Sequence, residues 1–275
     1  FLKSGDHVIL HDSIYGGTIN LVNTEFKKFN IDFSYIDIND VDLLKSTIKK
    51  NTRIIYFETP TNPLLQVVDI SLVSSFAKEN DIISIIDNTF ASPINQNPVN
   101  FGIDLVIHSA TKYLGGHSDI LAGSVSGTKE HIEKIKKSGI NYGANLSDYT
   151  VWLLERSIKT LSVRVNAQNQ NALDLAKFLD ESPLIKKVYY PGLKNHLSHE
   201  IASKQMNGFG GMMSFEVTDK INSEDFVSDL KIISPTMSLA GVESSITSPS
   251  KTSHKKVDPQ IRKKLGISDN LLRFS

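Results

Sequence analysis

Short apolar runs alternate with polar and helix-periodic stretches through the first half of this chain. Residues 8–10, 33–36, 53–57, 82–86 and 105–107 each read as a buried strand. The run 82–86 is nearly all apolar, as in a strand covered on both faces. Residues 18–29 and 41–50 carry helical patterns, and 70–80 places Leu72, Val73, Phe76 and Ala77 on one helical face. Pro60 and Pro63 exclude helix from the intervening loop. This order predicts an α/β fold, with a mostly parallel sheet flanked by helices.

From Ser147 the pattern predicts one long helix. Val151, Leu154, Ile158, Leu161 and Val165 repeat at alternating spacings of three and four, and Ala172, Leu175, Ala176 and Leu179 extend the stripe. Ser147 is the expected N-cap and Ser182-Pro183 the stop. Such a helix is expected to join a large domain, 1–163, to a smaller α+β domain, 164–275. In the latter, strands are expected at 187–190, 211–217, 231–233 and 271–275, and a helix at 223–230. The polar, basic stretch 248–256 reads as a solvated loop or as part of a site entrance.

Composition narrows the function. The 275 residues suit one large domain or two smaller ones. Formal net charge is zero, so nothing favours nucleic acid or an anionic membrane as partner. Cysteine is absent, which excludes disulfides and thiolate chemistry and fits a cytoplasmic location. No apolar run approaches the roughly 20 residues that span a bilayer, and no signal peptide is visible. His7, His108 and His117 lack the spacing of a metal set, and no metal is expected. The chain opens at Phe1 and stops at Ser275 inside a strand pattern, so both ends are expected to be truncated.

In parallel sheets ligands sit beyond the carboxyl ends of the strands. Three consecutive strand candidates deliver Asn62, Asp87 and Lys112 to that edge. Alone, Asn62 could cap a turn and Asp87 a helix. Lys112 follows a buried run, with Ser109 and Thr111 beside it and Gly115-Gly116 after it. Such a lysine suits a Schiff base to pyridoxal 5'-phosphate (PLP), an aldehyde cofactor that carries a phosphate; the alternative is a surface lysine in a turn.

Further segments make the pattern specific. Tyr15-Gly16-Gly17-Thr18, Glu58-Thr59-Pro60-Thr61-Asn62-Pro63, Asp87-Asn88-Thr89-Phe90 and Ser109-Ala110-Thr111-Lys112-Tyr113-Leu114 come first. Gly115-Gly116-His117-Ser118-Asp119, Tyr190-Pro191-Gly192-Leu193, Ser238-Leu239-Ala240-Gly241-Val242-Glu243-Ser244 and Leu271-Leu272-Arg273-Phe274-Ser275 follow. On these residues the chain resembles the PLP-dependent trans-sulfuration enzymes: cystathionine γ-synthase, cystathionine γ- and β-lyase, and methionine γ-lyase.

The resemblance implies PLP fold type I, the aspartate-aminotransferase-like fold, and a role for each site residue. Lys112 would hold the cofactor and shuttle protons, and Asp87 would face the pyridine nitrogen. Tyr15 would stack on the ring and act as acid or base, and Asn62 would bond the ring hydroxyl. Ser109 and Thr111 would serve the phosphate. Arg273 would clamp the substrate carboxylate, assisted by Ser238. The resemblance places the family's phosphate loop, and a segment lent to the neighbouring subunit, upstream of Phe1. It also implies a homotetramer, a dimer of dimers.

Gly17 stands where methionine γ-lyases usually carry cysteine. Met237 stands where many γ-synthases and γ-lyases carry glutamate, and an apolar residue there is more usual in β-lyases and methionine γ-lyases. Ala240 replaces the first of two family glycines. The expected reaction is cleavage of a carbon–sulfur bond of cystathionine or a related sulfur amino acid by β/γ-elimination. The alternatives are γ-replacement on an acylated homoserine, methionine γ-lyase activity, and an inactive truncated remnant.

Overall fold

In the computed structural model, which describes residues 1–253, 255 and 259–275, the first apolar run forms β1 (His7–His11). Then come α1 (Gly16–Glu25), β2 (Asp32–Ile36), α2 (Val41–Thr47), β3 (Thr52–Glu58) and α3 (Ile70–Glu79). β4 (Ile83–Asp87), α4 (Ser92–Asn95), β5 (Leu105–Ser109) and β6 (Gly123–Gly127) follow. The sheet order is β2-β1-β3-β4-β5-β6. Neighbours are parallel from β2 through β5, and β6 lies antiparallel on the edge.

Both faces of this sheet are packed. Ile9, Ile55, Phe57 and Ile86 meet Val73, Phe76 and Ala77 of α3 on one side. Val8, Leu10 and Ile54 cluster with Ile14 and with Val22 of α1 on the other. Burying each large aliphatic side chain contributes about 1.5–3 kcal/mol, so the strands read as unbroken apolar runs. Strand order reverses between β1 and β3, which opens a crevice at their carboxyl ends. β1 leads into Tyr15, and β3 ends at Glu58.

After α5 (Lys129–Tyr142), the single helix expected from Ser147 is two, α6 (Asp148–Ile158) and α7 (Leu161–Asp180). Ser147 does cap the first, accepting from the Thr150 N–H at 3.2 Å. The break lies at the Ser157 carbonyl. It accepts from Thr160 N at 3.2 Å, Thr160 Oγ1 at 3.1 Å and Arg164 Nη2 at 2.9 Å. These donors occupy the acceptor that a continuous helix would offer to residue 161. The apolar stripe divides there: Leu161 and Val165 are buried, whereas Val151 and Ile158 are exposed.

β7 (Ile185–Tyr189), α8 (His199–Gln205), β8 (Met213–Val217) and α9 (Ser223–Ser228) come next. β9 (Ser234–Pro235), β10 (Ser245–Thr247), α10 (Pro259–Lys264) and β11 (Leu271–Phe274) follow. The second sheet is ordered β7-β8-β11-β10-β9. The strand expected at 231–233 is displaced: those residues are bends, with Ile232 exposed, and pairing falls on Ser234–Pro235. Pro235 has no N–H to give a neighbour, which suits the sheet edge. Of the polar stretch 248–256, residues 254 and 256 lie outside the described residues. No helix among the described residues is long and apolar enough to cross a membrane.

Candidate active site

Asp87 closes β4 inside the crevice. Its Oδ1 accepts from the Thr89 N–H at 3.0 Å and from Thr89 Oγ1 at 2.5 Å. Thr89 Oγ1 in turn accepts from the Ser109 N–H at 2.8 Å. Asp87 is thereby tied to the end of β5, from which the Lys112 loop departs. Burial pushes the Asp87 carboxyl above its usual range, and the Thr89 bonds oppose that push. Among the described residues no cation lies within ion-pair distance of it.

Lys112 sits in a tight turn: its N–H donates to Ser109 O at 3.0 Å, and its carbonyl accepts from Gly116 N at 2.7 Å. Gly116 has φ +71°, a left-handed conformation that favours glycine, and a Cβ there would displace the Arg164 guanidinium. Arg164 reaches from α7 to the Tyr113 carbonyl at 2.9 Å and steadies the turn. Burial lowers the proton affinity of the half-buried Lys112 amine, and the Arg273 charge lowers it further. Thr111 is turned elsewhere. Its hydroxyl donates to Ala122 O at 3.2 Å and accepts from Ala122 N at 3.0 Å. The Ser109 hydroxyl has no such commitment among the described residues.

Tyr15 stands at the N-terminus of α1, with its ring across Gly17 and 58% exposed. Its N–H donates to Glu58 Oε2 at 2.8 Å. Glu58 is 4% exposed and pairs in register with Asp87.

The second sheet supplies Arg273, from β11, at 4% exposure. Nη1 donates to Asn62 Oδ1 at 3.2 Å and Nη2 to the Met237 carbonyl at 2.7 Å. Burial lowers its proton affinity to about 10, and Glu58 opposes that change. The loop bearing Asn62 is joined to the second sheet again where Ser214 Oγ donates to Pro63 O at 2.7 Å. Ser238 follows Met237; its carbonyl accepts from Ser245 Oγ at 2.9 Å. Behind Asp87, His108 Nε2 lies 3.1 Å from Asn88 Nδ2, and Gln96 Nε2 donates to Asn88 Oδ1 at 2.7 Å.

The geometry therefore joins the surroundings of Asp87, Lys112, Asn62, Arg273 and Tyr15 through hydrogen bonds and mutual fields. A family model described as Cys/Met metabolism PLP-dependent enzyme matches residues 1–275. The chain belongs to that family. Cystathionine beta-lyase of Lactococcus lactis subsp. cremoris (strain MG1363) is 46% identical over 274 residues, which span 99% of this chain and 72% of that protein. Cystathionine gamma-lyase of Bacillus subtilis (strain 168) is 41% identical, with 99% and 72% covered. The solved cystathionine gamma-lyase from Lactobacillus plantarum complexed with L-serine superposes with a TM-score of 0.96 at 41% identity. It covers 100% of this chain, which spans 72% of that one. This member of the Cys/Met metabolism family is accordingly a PLP-dependent trans-sulfuration enzyme of fold type I.

Its residues fit the cofactor. A buried carboxylate without a cation partner suits a protonated pyridine nitrogen, and a lysine of lowered proton affinity suits an aldehyde. Glu58 and Thr89 lie in segments that the sequence singles out, but their contacts, like those of Arg164, come from the structure. Thr89 has a local signal, since Asp-x-Thr is a turn spacing. Arg164 has none, because the carbonyl it holds is 51 residues away.

Proposed function

We propose that this enzyme cleaves a carbon–sulfur bond of cystathionine or a related thioether amino acid by β- or γ-elimination. One observation carries the reading: the buried Arg273 guanidinium is held by Asn62 and Met237 and is felt by the Lys112 amine. An arginine able to clamp a carboxylate, within electrostatic reach of the Lys112 amine, supports an amino-acid substrate. The names of the Lactococcus and Bacillus relatives favour a lyase.

Bound PLP supplies an aldehyde for an amine and a ring that draws electrons from the adjacent carbons. Lys112 Nζ would hold that aldehyde and, as a free amine, would take the proton from the substrate α-carbon. Asp87 would hold a proton at the ring nitrogen. Asn62 would bond the ring hydroxyl, while Tyr15 would cover the ring and exchange a proton at its phenol oxygen. Ser109 would serve the phosphate directly, and Thr111 would do so on giving up its Ala122 contact. Arg273 binds the substrate carboxylate through two parallel N–H bonds, with Ser238 beside it.

The test is product analysis with cystathionine as sole substrate. β-Elimination yields homocysteine, pyruvate and ammonia; γ-elimination yields cysteine, 2-oxobutyrate and ammonia. Thioether formation from acylated homoserine and cysteine, with no keto acid from cystathionine, would overturn the reading in favour of a synthase. Turnover of methionine but not cystathionine would favour methionine γ-lyase. Failure of the protein to develop a cofactor absorbance band would favour an inactive remnant.

We also infer a cytoplasmic homotetramer, a dimer of dimers, and a domain division near residue 164, between the two sheets. Exposed Ile140, Tyr142, Tyr149 and Trp152 on α5 and α6 support a second copy as their cover. An active monomer in sedimentation would refute the assembly.

A further inference from the structure

Glu58 is buried between two residues of the site, Tyr15 and Asp87. It ends β3 in direct register with Asp87 at the end of β4. In-register residues of adjacent parallel strands point to the same face, with backbones about 4.8 Å apart. Glu58 Oε2 holds the Tyr15 N–H at 2.8 Å. From the second sheet, Arg273 exerts its field on Glu58 without forming an ion pair. Tyr56, on the same strand, stays neutral, its phenol pushed well up by burial and then by Asp87.

We propose that Glu58 is a positioning residue that tethers Tyr15 and, by carrying a proton when substrate arrives, leaves Arg273 to the substrate carboxylate. The proposal rests on the amino-acid-cleaving function given above. Two adjacent buried acids do not both ionise readily. Asp87 receives two hydrogen bonds from Thr89, whereas Glu58 receives one from a main-chain N–H. The charge therefore settles on Asp87 and the proton on Glu58. In keeping with this, burial and then Asp87 raise the Glu58 carboxyl well above its usual range, against the pull first of the Tyr15 N–H bond and then of Arg273. An ionised Glu58 would compete with the substrate for the field of Arg273. Once a substrate carboxylate neutralises the guanidinium, an ionised Glu58 would face two further anions. Substrate binding and the Glu58 proton thus reinforce each other, reciprocally.

Glu58→Gln keeps an oxygen acceptor for Tyr15 and fixes a neutral side chain; Glu58→Ala removes both. With cystathionine, the wild-type KM is expected to climb at alkaline pH about tenfold further than that of Glu58→Gln, equivalent to one pKa unit of coupling. Parallel KM–pH profiles would overturn the proposal. A second measurement needs no turnover: the thermal midpoint of cofactor-free protein against pH. A carboxyl raised in the folded state contributes stability at acid pH that is lost as pH rises through the raised value. The wild type is expected to lose more stability on that limb than Glu58→Gln, and superimposable curves would refute a protonated Glu58. These curves judge Glu58 even if cystathionine is not cleaved. Cofactor affinity, by absorbance titration, is expected to fall in Glu58→Ala and to be kept in Glu58→Gln. An equal fall in both would refute the tether.

Discussion

Replacing Thr89 by valine removes one hydroxyl and cuts two bonds. The side chain keeps its shape, but Asp87 Oδ1 loses the 2.5 Å donor and the Ser109 N–H loses its 2.8 Å acceptor. A hydrogen bond to a charged group contributes about 1.5–3 kcal/mol. A buried N–H left unpaired adds about 1–3 kcal/mol of cost. The Thr89 N–H still reaches Asp87 at 3.0 Å, so the carboxylate is weakened rather than abandoned. Its proton affinity rises, and less negative charge faces the ring nitrogen at neutral pH. Cofactor affinity should fall by about ten- to a hundredfold, following roughly 1.4 kcal/mol per tenfold. Thr89→Ser retains the hydroxyl and should stay near wild type. The assay is absorbance titration of cofactor-free protein with PLP, alongside thermal melting of the same samples. Unchanged affinity in Thr89→Val would refute the relay from Ser109 through Thr89 to Asp87. Equal losses in the serine and valine variants would do so too.

Two further outcomes follow from the site. Arg273→Lys keeps a charge but not the planar fork; KM for the amino acid should rise at least about tenfold, with cofactor affinity little changed, and a cofactor loss as large as the KM rise would contradict the assignment. His108 is kept neutral by burial, its proton affinity lowered from 6.5 to about 4. Because the unfolded chain takes the proton first, His108 costs stability as pH falls from 6.5 towards 4. Melting of His108→Gln should therefore show a flatter acid limb than wild type, and identical limbs would exclude His108 as its source.

The central strands were legible because both faces are covered, which makes each an apolar run. β6, with its sequence Gly-Ser-Val-Ser-Gly, carries no such run and lies at an edge. β9 and β10 are too short to show a period. The split between α6 and α7 is invisible to periodicity, since it depends on the Thr160 and Arg164 side chains meeting one carbonyl. Asn62, Asp87 and Lys112 announce themselves by following apolar runs. Glu58 closes such a run as well, but a single acid at a strand end is ordinarily solvated. Only the register with Asp87 and the bond from Tyr15 set it apart.

Asp87, Lys112 and Tyr15 depart from one sheet, whereas Arg273 and the Met237 carbonyl belong to the other. On the proposed roles, grip on the coenzyme and grip on the amino acid start from different sheets and meet at the Asn62–Arg273 bond. A lesion that loosens β11 against β8 therefore strikes recognition of the amino acid first, and reaches the coenzyme only through Asn62.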